Sequence, residues 1–265
     1  MSGEAAGIGA VPEAGAEPGE PAALELRDVV KRFEGHEVIR GLSLAIRPRE
    51  AVTIIGGSGA GKSVLLRLMI GLIKPDQGRI LIEGQDIVPL RERELLRVRC
   101  KLGMIFQGSA LFDSMTVGEN VAFALREHTD WEEERIRARV RQALDLVGLG
   151  AVEGMDPAEL SGGMKKRVAV ARAVALPPRI LFYDEPTTGL DPSNVEKVVE
   201  LIMDLNSRLG VTSVVVTHDM PAALKLSDRV AMLHEGRIAA MGTPQEISAS
   251  QDSLIRDFMA GKVEA

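Results

Sequence analysis

Residues Gly56-Gly57-Ser58-Gly59-Ala60-Gly61-Lys62-Ser63 fit the pattern G-x-x-x-x-G-K-[ST]. Each residue type in that pattern has a physical reason. The glycines let backbone N–H groups turn inward around an anion. The helix expected after the loop adds its positive end. Lys62 can supply a mobile cation for the outer phosphates and Ser63 a hydroxyl for Mg²⁺. By itself the loop implies a nucleoside triphosphate and nothing narrower. A second cluster, Ile180 to Glu185, reads as an apolar strand that delivers two adjacent carboxylates. Asp184 can hold a divalent cation and Glu185 can polarise a water. Two close acids repel unless a cation stands nearby, so the pair implies a metal. A third cluster, Leu160-Ser161-Gly162-Gly163-Met164, stands before an Ala- and Val-rich helix. A serine and two glycines there make another anion site.

These loops need strands and helices to hold them. Val52 to Ile55 is a short apolar run of the kind buried on both faces of a parallel sheet, and a helix over 63–73 follows it. Leu24 to Phe33 and residues 38–47 read as early strands. Residues 91–100 and 129–148 read as charge-rich helices. In the second, Thr129 or Asp130 can cap, and Ile136, Val140, Ala143, Leu144 and Val147 form one apolar stripe. After Pro178 the α/β pattern returns. It comprises the strand at 180–183, a helix over 195–209, a β-branched strand from Thr212 to Thr217 ending at His218, a hairpin around Glu235-Gly236 and a short helix near 252–260. The layout is an α/β core interrupted by a helical insertion.

Leu160 to Gly163 matches the signature sequence of ATP-binding cassette (ABC) transporters, and the chain resembles that family's nucleotide-binding subunit over about residues 24–248. The resemblance implies a P-loop NTPase cassette: a RecA-like α/β core, an antiparallel β subdomain and an inserted helical subdomain at about 91–177. It implies ATP and Mg²⁺ as cofactors and ATP hydrolysis as the activity. Gln107 matches the Q-loop glutamine, which contacts Mg²⁺ and the attacking water. His218 matches the switch histidine, which senses the γ-phosphate, and Gly189-Leu190-Asp191 matches the D-loop. Phe33 is placed like the aromatic that stacks on adenine. Ser63, Gln107 and Asp184 are the expected metal ligands, and Glu185, Gln107 and His218 the expected catalytic set. Gly56 to Val64, with Ser161, Gly162 and Gly163 of a second copy, would hold the nucleotide in a head-to-tail homodimer. Val64 stands where a Thr or Ser is frequent, which removes one hydroxyl from the α-phosphate. Gly189 replaces a common Ser or Ala.

The stretch from Gly103 to Val117, continued by Glu119 to Thr129, narrows the resemblance. It is similar to the ATPase of Mla-type phospholipid transporters, which work with MCE-domain lipid-binding proteins. That implies an integral-membrane permease, an MCE-domain protein and, in some systems, a small STAS-domain protein as partners. The chain would then lie peripherally on the cytoplasmic face of the inner membrane. An importer cassette for polar solutes such as amino acids is the alternative, disfavoured by residues 108–129. A soluble cassette of DNA repair or translation is disfavoured because such proteins carry paired cassettes, coiled coils or zinc modules. A P-loop kinase would lack Leu160 to Met164.

Composition agrees. The 265 residues carry a formal charge of −6, 45% hydrophobic and 26% charged residues and a single cysteine, Cys100. The acidic balance argues against a nucleic-acid partner, and one cysteine excludes an intramolecular disulfide framework. The longest apolar runs are too short to cross a bilayer, so any pore is expected in another chain. Residues 1–23 hold 5 Gly, 7 Ala, 3 Pro and 4 Glu with no Lys or Arg. They read as a disordered tail without the basic start and apolar stretch of a signal peptide. Residues 249–265 read as a C-terminal extension.

Overall fold

The computed structural model describes residues 21–262; most of the tail expected at 1–23 therefore lies outside the described residues. Two sheets organise the chain. Strands β1 (Leu24–Phe33), β2 (His36–Ile46), β4 (Gln77–Ile82) and β5 (Gln85–Asp86) form an antiparallel sheet in the order β2-β1-β4-β5. The larger sheet has the order β10-β9-β3-β8-β7-β6, built from β3 (Ala51–Ile55), β6 (Leu102–Ile105), β7 (Ile180–Asp184), β8 (Thr212–Thr217), β9 (Arg229–His234) and β10 (Arg237–Gly242). Its strands are parallel except β10, which pairs antiparallel with β9.

The parallel strands are apolar because helices or the second sheet cover both faces. β7 illustrates the pleat. Ile180 and Phe182 enter a core with Val52, Ile54, Val214 and the antiparallel sheet, whereas Leu181 and Tyr183 enter a core of helices on the opposite face. The hydroxyl of Tyr183 is buried there, and burial pushes its pKa upward. Helices α1 (Lys62–Met69) and α2 (Glu92–Arg99) flank the first core. α1 is shorter than expected, and its chain turns at Gly71 with φ +68°.

A RecA-like core with an antiparallel β subdomain and a helical block is present, but the block does not begin near residue 91. α2 buries Leu95 and Val98 beside Ile80 and Ile87 of the core, and β6 is the edge strand of the large sheet. Arginines and glutamates around those two apolar residues give α2 the look of a solvated helix. In β6, Gly103 is required: a Cβ there would lie 2.5 Å from Leu181 and 2.7 Å from the Ala173 carbonyl. The helical block consists of α3 (Val117–His128), α4 (Glu133–Leu146) and α5 (Gly162–Ala175). The stripe of Ile136, Val140, Ala143, Leu144 and Val147 is buried within it. α4 begins after Glu132, whose side chain makes no capping hydrogen bond, rather than after Thr129 or Asp130. The Thr129 hydroxyl instead donates to the Leu125 carbonyl at the end of α3. Two guanidinium groups bind the block together. Arg139 donates to the carbonyls of Val174 and Ala175 at the end of α5, and Arg172 donates to those of Ser109 and Ala110 in the loop after Gln107.

Asn120 is fully buried and organises the segment between Gln107 and α3. Its side-chain oxygen accepts from the Phe112 N–H, and its amide donates to the carbonyls of Phe112, Met115 and Thr116. Asn120→Ala removes the partners of the Phe112 N–H and the Met115 carbonyl, while the carbonyls of Phe112 and Thr116 keep the N–H groups of Met115 and Asn120. A stability loss of about 2–3 kcal/mol is expected, read as a lower midpoint in denaturant titration with an unchanged slope.

The C-terminal residues are continuous with the core rather than appended to it. α6 (Pro192–Leu209), α7 (Met220–Leu226), α8 (Pro244–Ser248) and α9 (Ser253–Met259) follow β7 and its neighbours. Ile247 of α8 and Ile255 of α9 are buried in one cluster with Ile55, Met220, Val230 and Met232. At the other end Ala23 is already buried, its N–H donating to the Ile46 carbonyl.

Candidate nucleotide site

Four parallel strands end at one edge of the large sheet, and each delivers a candidate residue there. β3 leads into the glycine loop, β6 into Gln107, β7 into Asp184 and Glu185, and β8 into His218. Ligands of open parallel sheets gather at that edge because the connecting loops and helix N-termini converge on it. The cavity at this edge has a volume of about 680 Å³. Gly57, Ser58, Gly59, Gly61, Lys62, Ser63, Val64, Gln107, Asp184, Glu185 and His218 all lie on its wall.

The loop is shaped by steric necessity. A Cβ at Gly56 would lie 2.4 Å from the Leu233 carbonyl oxygen. Gly61 has φ +101° and lies under Val38 and Ile39. Gly56 and Ala60 are off the wall. The Gly56 carbonyl accepts from Lys62, and Ala60 packs against the core. The Lys62 ammonium donates to the carbonyls of Gly56 at 2.7 Å and Gly57 at 3.0 Å. Burial pulls its pKa below the ordinary lysine range, while Glu185 and Asp184 oppose the shift.

The carboxylates differ in environment. Burial first, and Glu185 second, raise Asp184 above the usual carboxylate range, with Arg67 and Lys62 acting the other way. Glu185 has a left-handed backbone, φ +49°, and its N–H donates to the Val216 carbonyl. Such a conformation is costly for a residue with a Cβ and turns the side chain out of the strand direction. Its Oε2 accepts from the hydroxyls of Thr188 and Thr217, each at 3.2 Å, and shares a hydrogen bond of 2.9 Å with His218 Nδ1. The His218 side chain is 62% exposed and that of Glu185 only 14%. Oε1 has no side-chain hydrogen bond among the described residues. Sequence reasoning missed Thr188, although a hydroxyl three residues after a strand-end acid is a readable signal. It also missed Val38, Phe258 and Gly261, which complete the wall.

The signature residues, expected to serve the nucleotide of a second copy, stand away from this cavity, and so does Phe33. Ser161 caps α5, its Oγ accepting from the Met164 N–H. Gly162 and Gly163 follow with open space where a Cβ would stand. None of the three lies on the wall around Lys62. Phe33 is also off the wall, 44% exposed at the end of β1, with the Lys31 ammonium 5.3 Å from its ring centre. Asp191 of the expected D-loop caps α6, accepting from the Asn194 N–H. Lys166 of α5 donates to the carbonyls of Pro186 and Thr188, which ties α5 to the segment after Glu185.

No helix among the described residues is long and apolar enough to cross a membrane.

Comparison with known proteins places the chain in a family. Residues 39–188 match the model described as ABC transporter. The intermembrane phospholipid transport system ATP-binding protein MlaF of Escherichia coli K12 is 41% identical over 238 residues, 90% of this chain and 88% of that protein. The probable ribonucleotide transport ATP-binding protein mkl of Mycobacterium leprae is 40% identical over 240 residues, 91% of this chain and 69% of that protein. Among solved structures, a dimeric post-hydrolysis state of the cassette MJ0796 with ADP and Pi superposes with TM-score 0.76 at 33% identity. That match covers 83% of this chain and 98% of the other. A P-loop at a parallel-sheet edge beside two carboxylates, with these similarities, makes the chain an ATP-binding ATPase subunit that belongs to the ABC transporter family.

Proposed function

We propose that this chain energises phospholipid transport between two membranes, as the ATPase subunit of a complex with an integral-membrane permease and an MCE-domain protein. A small STAS-domain protein is a further candidate partner. The observation that carries this reading is the identity to MlaF over nearly the full length of both chains. The ribonucleotide-transport relative is nearly as similar, at 40% against 41% identity, but this chain spans only 69% of that longer protein. An importer of polar solutes is therefore the second reading. In either case the chain would sit peripherally, at the cytoplasmic face of the inner membrane.

The cavity supports the following division of labour. Lys62 and the backbone N–H groups of residues 57–63 take the β- and γ-phosphates. Ser63, Asp184 and Gln107 offer a hydroxyl, a carboxylate and an amide to Mg²⁺, a hard cation that keeps several water and phosphate ligands. The fit is electrostatic as well, because a cation beside Asp184 would offset the repulsion from Glu185 that helps to raise it. When bound, Mg²⁺ would neutralise charge on the outer phosphates. Glu185 polarises the attacking water. Thr188, Thr217 and His218 hold Oε2, which leaves Oε1 to accept the water proton. His218 stands on the open side of the cavity, where a γ-phosphate would meet it. Because Ser161, Gly162 and Gly163 are exposed or half-exposed and off the cavity wall, a second copy would supply them in a head-to-tail dimer. The dimeric state of a similar cassette supports that arrangement. ATP then favours the closed pair through contacts that exist only there.

The test of the transport reading is purification of the native complex from detergent-extracted membranes, followed by protein and lipid mass spectrometry. Co-purification of a permease, an MCE-domain protein and phospholipid is expected. Recovery of a solute permease with neither an MCE-domain protein nor enriched phospholipid overturns it.

A further inference from the structure

We propose that Phe258, on the C-terminal helix α9, is part of the nucleotide site and packs against the base and sugar of the bound nucleotide. This rests on the nucleotide reading of the cavity given above. Phe258 and Gly261 lie on the same wall as Lys62, Glu185 and His218, although the chain brings them from the opposite end of the sequence.

α9 is anchored where a change at the loop would reach it. Ile255 is buried, and Leu254 and Phe258 pack against the cluster of Ile55, Met220, Val230 and Met232. Ile55 immediately precedes the glycine loop, and Met220 stands two residues after His218. Both ends of α9 are fixed. The Asp252 carboxylate accepts from the Leu254 N–H at 2.8 Å. At the other end the chain reverses at Gly261, φ +66°, whose N–H donates to the Phe258 carbonyl, while the Lys262 N–H donates to that of Asp257. Glycine closes a helix this way without strain.

The chemistry of the ligand selects the ring. Phosphates are satisfied by the loop and Lys62, which leaves an aromatic base and a sugar needing apolar surface. Val38, Val64 and Phe258 are the apolar side chains on the wall, and Phe258 is its one aromatic ring among the described residues. Phe33, to which the family resemblance assigns the base, is exposed at the end of β1 beside Lys31, as a stacking face open to a base is, so Phe258 adds a second apolar contact rather than replacing it.

The experiment titrates ATP, ADP and tripolyphosphate into the full chain and into Phe258→Ala, Phe33→Ala and Lys62→Ala. Loss of an aromatic platform for a base weakens binding by about tenfold. Phe258→Ala is expected to lose about that factor for ATP and ADP and to bind tripolyphosphate within about twofold of wild type, since the loop is untouched. Phe258→Trp in a Trp131→Phe background keeps a ring should the alanine variant fail to fold. Its emission is expected to change on ATP titration and to stay constant with tripolyphosphate. Unchanged ATP affinity in Phe258→Ala, equal losses for ATP and tripolyphosphate, or a Phe258→Trp emission indifferent to ATP each overturn the proposal. Lys62→Ala keeps the two readings apart. If it loses ATP while Phe258→Ala does not, only the role of Phe258 falls. If it binds ATP as wild type does, the nucleotide reading falls with it.

Discussion

Glu185→Gln is expected to bind ATP with near wild-type affinity and to hydrolyse it at least about a hundredfold more slowly, the scale of a lost general base. The substitution preserves size and keeps an acceptor for the Thr188 and Thr217 hydroxyls, so the cavity wall should hold its shape. What it removes is the negative charge and the oxygen that would take the water proton. Three donors converge on Oε2 from β8, its following residue and the loop after β7. That investment of hydrogen bonds, with the strained backbone at φ +49°, positions a base more stiffly than packing requires. Because hydrolysis would reopen the dimer, blocking it should also accumulate a dimer with ATP, seen as a doubled mass by light scattering. Single-turnover measurement separates the chemical step from product release. Turnover above about a tenth of wild type would remove Glu185 from the role of main catalytic base, since general-base losses are larger than that.

How much of this could be read from the residues varies with what each one answers to. The phosphate loop and the 180–185 strand were legible because chemistry constrains them locally: a run of glycines, a lysine at the helix start, an apolar run ending in acids. The strand β6 and helix α3 were not. Four residues with a glycine in the middle carry no periodic signal, and Gly103 is there for the approach of α5 rather than for a turn. The boundary of the helical block slipped for a related reason. Leu95 and Val98 make α2 a core helix, but they stand among so many charges that composition alone reads the segment as solvated. The cavity wall was legible on one side only. Residues on loops after the parallel strands follow from the strand order, whereas Val38 and Phe258 reach the cavity through packing of distant elements that no spacing encodes. The setting of Phe33 is of the same kind, because it depends on how the β1–β2 turn projects and on the Lys31 ammonium beside it.

Lys62→Ala is expected to weaken ATP binding by about 30-fold or more, the loss of one or two charge-assisted hydrogen bonds in a half-desolvated site. The structure explains why the effect should be that large. Lys62 is bonded to two loop carbonyls, Gly56 and Gly57, so it acts on both the shape of the loop and its charge. Removing it leaves those carbonyls to repel an incoming phosphate, and it leaves Asp184 and Glu185 without the cation that Glu185 and Asp184 in turn help to keep protonated. The wall would pass from partly balanced to acidic, the wrong field for a polyanion. Arginine should not rescue it. The planar guanidinium is broader than an ammonium and cannot serve two carbonyls of one tight turn and the phosphates from the same point. Titration calorimetry with ATP and Mg²⁺ measures the loss, and circular dichroism checks that the fold persists. Tripolyphosphate should lose affinity in parallel with ATP, because Lys62 acts on the phosphates, the opposite of the pattern expected for Phe258. Affinity equal to wild type for both ligands would remove Lys62 and the glycine loop from the phosphate site, and with them the nucleotide reading of this cavity.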